Sequence, residues 1–296
     1  MDAALDAAQR AGQAMIGLYS RRRFADRVSK LLMPLAACVG LFFLGWILWT
    51  SFAHGLAALR WDLFVNDTPP PGTDGIGMRN AFVGSLILVG CAMLIGIPVG
   101  LLAGTWLAEY GGRGRPARAI RFLNDIMLSA PSIVVGLFAY AIVVQPFGHF
   151  SALSGSVALA MLMIPIVTRT TDEMLALIGA DMREAAAALG APMWKVITAI
   201  TWKAARNGIL TGILIAVARI SGETAPLLFT ALNNQFFSAD LMHPIANLPV
   251  VIFQFAMSPY DNWQKMAWAG ALIAIIFILT LSVLSRLILN RGAIKS

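Results

Sequence analysis

An all-α membrane protein with six spans is the fold class this sequence predicts, and three observations predict it. Of its 296 residues, 58% are hydrophobic and only 12% charged, about half the charged share of a soluble domain. The apolar residues gather into six runs near the ~20 residues needed to cross a bilayer. The segments between the runs alternate between basic and poor in basic residues: 18 of the 22 Lys and Arg fall on one side and three on the other, with Arg219 inside a run. That asymmetry predicts both termini in the cytoplasm. The formal charge of +7 therefore reports on orientation and not on a nucleic-acid partner.

The runs are about Leu31–Phe52, Ala81–Ala108, Ile126–Val144, Gly155–Val167, Ile209–Ala231 and Ala267–Leu289. In the second, Gly96, Pro98, Gly100 and Gly104 permit tilt or bending. The fourth is short. The expected organisation is a cytoplasmic N-terminal segment over 1–30, a six-helix transmembrane domain over 31–289 with a long cytoplasmic loop at 168–207, and a cytoplasmic tail at 290–296. Arg21, Arg22 and Arg23 in the leader either only fix topology or also meet anionic lipid. Leu35–Cys38 resembles a lipoprotein box, but its cysteine opens an apolar run instead of following one.

Several activities are excluded. The chain has no G-x-x-x-x-G-K-[ST] phosphate loop, so it is not an ATPase, and no H-E-x-x-H. Paired aspartates on neighbouring turns of one span, as an intramembrane protease would need, are also missing. Cys38 and Cys91 lie in apolar runs, and His54, His149 and His243 fall in outer loops at unrelated spacings, so no metal site is expected.

Two stretches carry chemistry. In the long loop, Met182–Leu189 is an alanine-rich helix former followed by Gly190, a helix stop. Pro192 suits the first turn of a second helix, to which Trp194 and Ile197 give an apolar side. Two short cytoplasmic helices with a glycine bend are expected, either docking a partner through small residues or lying on the bilayer. The other stretch is V-A-R-I-S-G-E-T-A-P-L-L-F, Val217–Phe229. Arg219 and Glu223 are four residues apart and share a face if helical. Either charge facing lipid costs at least about 2.5 kcal/mol, so the face turns to protein or water. Pro226 frees the Gly222 carbonyl, which predicts a kink at mid-span. The pair either contacts a translocating anion or ties helices together. One Arg beside one Glu is locally neutral, so a dianion needs further positive charge, for which Arg169 is a candidate. Ser129, Pro131, Ser132 and Gly136 line a pathway or pack helices.

The loop residues Glu184, Ala185, Ala186 and Gly190 resemble the EAA loop of ATP-binding-cassette (ABC) importer permeases. Trp202 and Lys203 stand where that family usually has Leu-Pro. Ala130–Phe138, Ile164–Met174, Glu184–Ala191 and Gly222–Thr230 resemble its phosphate-importer permeases. The resemblance implies a type I, MetI-like permease fold. It implies a second permease (PstC-like), a homodimeric ATPase (PstB-like) and a periplasmic phosphate-binding protein (PstS-like). No cofactor is expected on this chain, because ATP and magnesium would belong to the ATPase. Glu184, Ala185, Ala186 and Gly190 would couple to that ATPase, and Arg219, Glu223, Arg169, Thr224 and Pro226 would line the substrate pathway. A permease for sulfate or molybdate is the near alternative. A secondary transporter would need no ATPase and should show inverted repeats.

Overall fold

The computed structural model describes the backbone of residues 2–112 and 114–293, with side chains for residue 23 and for residues 26–112 and 114–288. The side chains of Arg10, Arg21, Arg22, Arg113, Arg291 and Lys295, and the last three residues of the expected tail, lie outside the described residues. Two compact units divide the chain, Met1–Ala53 and His54–Ser296. Helix α1 (Asp2–Ala58) carries the first apolar run and continues through the boundary expected at residue 30.

The second unit follows with α2 (Asp62–Val65) and α3 (Arg79–Trp106), which widens into a π turn at Leu107–Gly111. Next come α4 (Arg115–Ser129) and α5 (Ser132–Ala139), the latter passing through a π segment, Tyr140–Val144, into α6 (Gln145–Phe147). Helix α7 (Ala152–Ala176) precedes α8 (Ala180–Ala188). Helix α9 (Met193–Lys195), a π segment at Val196–Thr201 and α10 (Trp202–Ser221) form one helical run. The chain ends with α11 (Ala225–Leu228), α12 (Leu248–Ala256) and α13 (Asp261–Ala293). Five runs are long and apolar enough to cross a membrane: Asp26–Ala58, Arg79–Gly111, Ala152–Ala176, Met193–Ser221 and Asp261–Ile288. A sixth results if Arg115–Ser129 and Ser132–Phe147, bent by 107°, count as one span.

Three expectations need correction. The third span is not one helix over Ile126–Val144. Pro131 lacks an N–H and pushes the residue before it out of the helical region, and Ala130 stands at ψ 135°. The fourth is not short: α7 runs on through Thr168, Thr170, Thr171, Asp172 and Glu173, because the helix does not stop where hydropathy falls. The non-helical link therefore starts after α7 and not at Thr168. Its second helix is no separate element; Met193 opens the run that becomes α10.

Close packing of α3 on α7 organises the core. Gly96, Gly100 and Gly104 make a small-residue ridge at spacing four on α3. A Cβ on Gly100 would lie 2.7 Å from Val167 Cβ, and one on Gly104 2.5 Å from the Thr168 carbonyl oxygen. These glycines serve close approach, and α3 stays a single helix through Pro98. On the other side of α7, Gly212 of α10 meets Thr170 and Gly208 meets Met174. Thus α7 runs parallel to α3 and antiparallel to α10. Leu88, Leu159, Met163, Val167, Ala216 and Ile220 fill the space between them.

Candidate functional site

Helix α10 ends at Ser221, and this is the largest departure from the sequence reading. The expected kinked span over Ile209–Ala231 is a helix that stops. Gly222 caps it at φ −100°, ψ 1°, its N–H donating to the Arg219 carbonyl at 3.2 Å. The chain restarts as α11 with Pro226 in its first turn, a position that needs no amide proton. The break lies at mid-depth. The α7–α10 register pairs residue 212 with 170 and 208 with 174, so Arg219 falls level with Met163. Met163 meets Gly96 of α3, and both are central in their helices.

Arg219 therefore occupies the last turn of a helix that ends inside the molecule, where the helix dipole favours a cation. Its side chain is 51% exposed, and its Nε stands 3.8 Å from Oε1 of Glu223, whose side chain is 16% exposed. That is an ion-pair distance without a hydrogen bond. The guanidinium makes no hydrogen bond among the described residues, so its donors are free to meet an anion. Thr224 is half-buried. Pro226 is buried against Gly136 of α5, whose added Cβ would fall 2.6 Å from Pro226 Cα. Packing is thus what Gly136 and Pro226 do. Ser221 donates to the Val217 carbonyl at 2.7 Å.

Arg169 does not join this pair. Its Nη1 donates to Asp125 and its Nε to Glu173, each at 2.8 Å. Two carboxylates around one guanidinium leave no surplus positive charge for an anion in this arrangement.

At the far end of α7, helix α8 displays the loop residues. Glu184, Ala185 and Gly190 are exposed, while Ala186 is turned inward at 6% exposure. Gly190 adopts φ 77°. Its N–H donates to the Ala187 carbonyl at 2.9 Å and that of Ala191 to the Ala186 carbonyl at 3.2 Å, a Schellman stop that suits glycine. Two arginines bind this end together. Arg121 donates through Nε and Nη2 to Asp172, at 2.7 and 3.1 Å, and to the Leu107 and Gly112 carbonyls. Arg183 grips Glu109 through Nη2 at 2.8 Å and through Nε.

The opposite end is closed by Asn80, which is buried and donates to the Asn234 and Gln235 carbonyls at 3.0 Å. His149 and His243 stack there with centroids 6.4 Å apart. The Met242 amide and the His243 ring hold the Asp240 carboxyl below the ordinary carboxylate range. With the folded value lowered, that contact is complete at neutral pH and is lost as pH falls through the lowered value. Among the described residues no group of three His, Cys, Asp or Glu is placed to hold a metal.

Residues 96–292 match the family model described as binding-protein-dependent transport system inner membrane component. The chain belongs to that permease family. It is 55% identical over 266 residues to the "Phosphate transport system permease protein PstA" of Haemophilus influenzae, covering 90% of this chain and 94% of that protein. To PstA 1 of Mycobacterium tuberculosis it is 34% identical over 277 residues, covering 92% and 90%. Among solved structures, an inward-facing MetNI methionine ABC transporter matches with TM-score 0.57 at 16% identity, covering 72% of this chain and 93% of that one. A bacterial ABC transporter for the acidic polysaccharide alginate matches with TM-score 0.56 at 16% identity, covering 90% and 98%. These two show the fold, that of an ABC-importer permease.

As a permease of this family the chain is a multi-pass inner-membrane protein that performs no hydrolysis itself and works with a binding protein and a separate ATPase. The sequence reading missed how much of the permease's basic charge is committed internally. Arg121 and Arg183 were counted only for orientation, and Arg169 was read as a free cation for the pathway. The available signal was an acidic residue close after two of the apolar runs, Glu109 after the second and Asp172 after the fourth.

Proposed function

We propose that this chain is the permease subunit of an ATP-driven inorganic phosphate importer. It forms the translocation path with a second, PstC-like permease. A PstB-like ATPase pair, which carries the ATP and magnesium, docks on the exposed side of α8 at Glu184 and Ala185 and on the glycine stop at Gly190 that follows it. A PstS-like protein delivers phosphate at the end closed by Asn80. Both termini are cytoplasmic, following the basic residues. The observation that carries the reading is a helix end that presents an incompletely bonded arginine at mid-depth. A charge there is tolerated only against a cavity or a partner. The extended identity with phosphate permeases supports phosphate over other oxyanions.

Arg219 meets the anion. Glu223, within ion-pair reach but not hydrogen-bonded, competes for the guanidinium and keeps the attraction weak enough for release. A phosphate dianion needs more than one cation, and with Arg169 balanced by Asp125 and Glu173 the remainder comes from the second permease.

The deciding experiment is purification in mild detergent. An ATPase should accompany the chain, and phosphate with its binding protein should stimulate hydrolysis; a complex without an ATPase ends the reading. Glu184→Lys on the exposed side of α8 and Gly190→Asp at the exposed stop after it should each lower the co-purified ATPase and phosphate uptake. Asp at position 190 adds backbone strain at positive φ of about 1 kcal/mol, whereas Lys at 184 leaves the fold intact. Normal co-purification and uptake in both variants would remove α8 as the docking element.

A further inference from the structure

We propose that the buried Glu109–Arg183 ion pair is the link through which displacement of α8 moves the ends of α3 and α7 together. The proposal rests on the importer reading above. Glu109 lies in the π turn that ends α3, with a side chain only 2% exposed, and Arg183 on α8 is 23% exposed. Among the described residues, Arg183 is the only hydrogen-bonding partner of the Glu109 carboxylate. Buried charges are tolerated where they are paired and hydrogen-bonded.

The guanidinium does more than neutralise. Nε and Nη2 donate to Glu109, Nη2 also donates to the Leu175 carbonyl at 2.8 Å, and Nη1 donates to the carbonyls of Ile178 and Gly179. All five donors of a rigid planar fork are engaged. One α8 side chain therefore holds the end of α3, the Leu175 carbonyl in the last turn of α7 and the link after it at the same time. The covalent route is softer. Gly179 precedes α8 and Gly190 follows it, and neither has an atom within 4 Å of an added Cβ. Glycine joints in open space absorb a push instead of passing it on. The fork is the stiff connection, and it leads to the α3–α7 pair, which the glycine ridge packs closely together.

The test uses the complete complex with its ATPase and phosphate-binding protein in liposomes. The readouts are co-purified ATPase, basal hydrolysis and phosphate moved per ATP. A merely structural role would change assembly and hydrolysis but not the last ratio. The double variant Glu109→Gln/Arg183→Gln removes both charges and keeps polar side chains, isosteric at 109 and shorter at 183. We expect it to retain the ATPase and basal hydrolysis, with phosphate per ATP falling about tenfold, a coupling loss within the usual range. Arg183→Lys keeps the charge but loses the fork, and should fall less, by about threefold. Should the double variant fail to assemble, Arg183→Lys decides alone. An unchanged phosphate-to-ATP ratio in an assembled variant overturns the proposal while wild-type coupling still upholds the importer. A wild-type complex without ATPase overturns both.

Discussion

Arg219→Ala lowers phosphate uptake about a hundredfold while the complex still assembles. The arginine is half exposed, and among the described residues its guanidinium meets only Glu223, at 3.8 Å, so removing it leaves no buried partner unsatisfied. What it leaves is a path whose middle has lost a cation. A dianion passing that level without it meets a penalty of about 2.5–3.5 kcal/mol, and each 1.4 kcal/mol is about tenfold. Glu223 then adds repulsion, because its carboxylate has lost its counter-charge. Arg219→Lys should restore part of the rate. Uptake of labelled phosphate, read beside co-purification of the partner subunits, checks the result. Normal uptake would sink the pathway role, and loss of assembly with loss of uptake would make the pair a structural tie.

Gly104→Val prevents accumulation of the permease in the membrane. The added Cβ would come within 2.5 Å of the Thr168 carbonyl oxygen and 2.6 Å of Thr171 Cβ. The first is backbone, so no rotamer relieves it, and overpacking of this kind costs about 1–3 kcal/mol or more. The fall should exceed that of Gly96→Ala, whose closest neighbour is the flexible Met163 side chain at 3.1 Å. Gly90→Val on the same helix has nothing within 4 Å and should accumulate normally. Immunodetection in membrane fractions separates these outcomes. Equal amounts of the Gly104 and Gly90 variants would remove the ridge as the organising contact.

The two cases mark what was legible in the sequence and what was not. Apolar runs locate spans because lipid imposes a length, and Leu31–Phe52, Ala81–Ala108 and Ala267–Leu289 all lie within observed helices. The stop at Gly190 was legible because a left-handed cap restricts residue type locally. The end of α10 was not. Gly222 and Pro226 are compatible with a kink or a full break, and only the packing of Pro226 on Gly136, some ninety residues earlier in the chain, favours the break. Nor was α12 recognised, since Leu248–Ala256 has nine residues, about 14 Å of helix and too little to span a bilayer. The glycines of α3 were legible as small but not as a contact, because a one-dimensional pattern does not name the facing helix. The same limit hid the arginine staples, where charge counted for orientation turned out to be charge spent on neighbours.

The π segment at Val196–Thr201 has a consequence in angular terms. A π turn closes on the fifth residue instead of the fourth, so it inserts one residue without lengthening the hydrogen-bonded run. Everything downstream on α10 is thereby turned by about 100° relative to an uninterrupted α-helix. Gly208 and Gly212 face α7 only in that phase. Deleting one residue from the segment would regularise the helix locally, yet rotate both glycines off their partners and swing Arg219 away from Glu223. The wide turn acts as the phase setting of the helix, aligning the end beside α8 with the charge at its far tip.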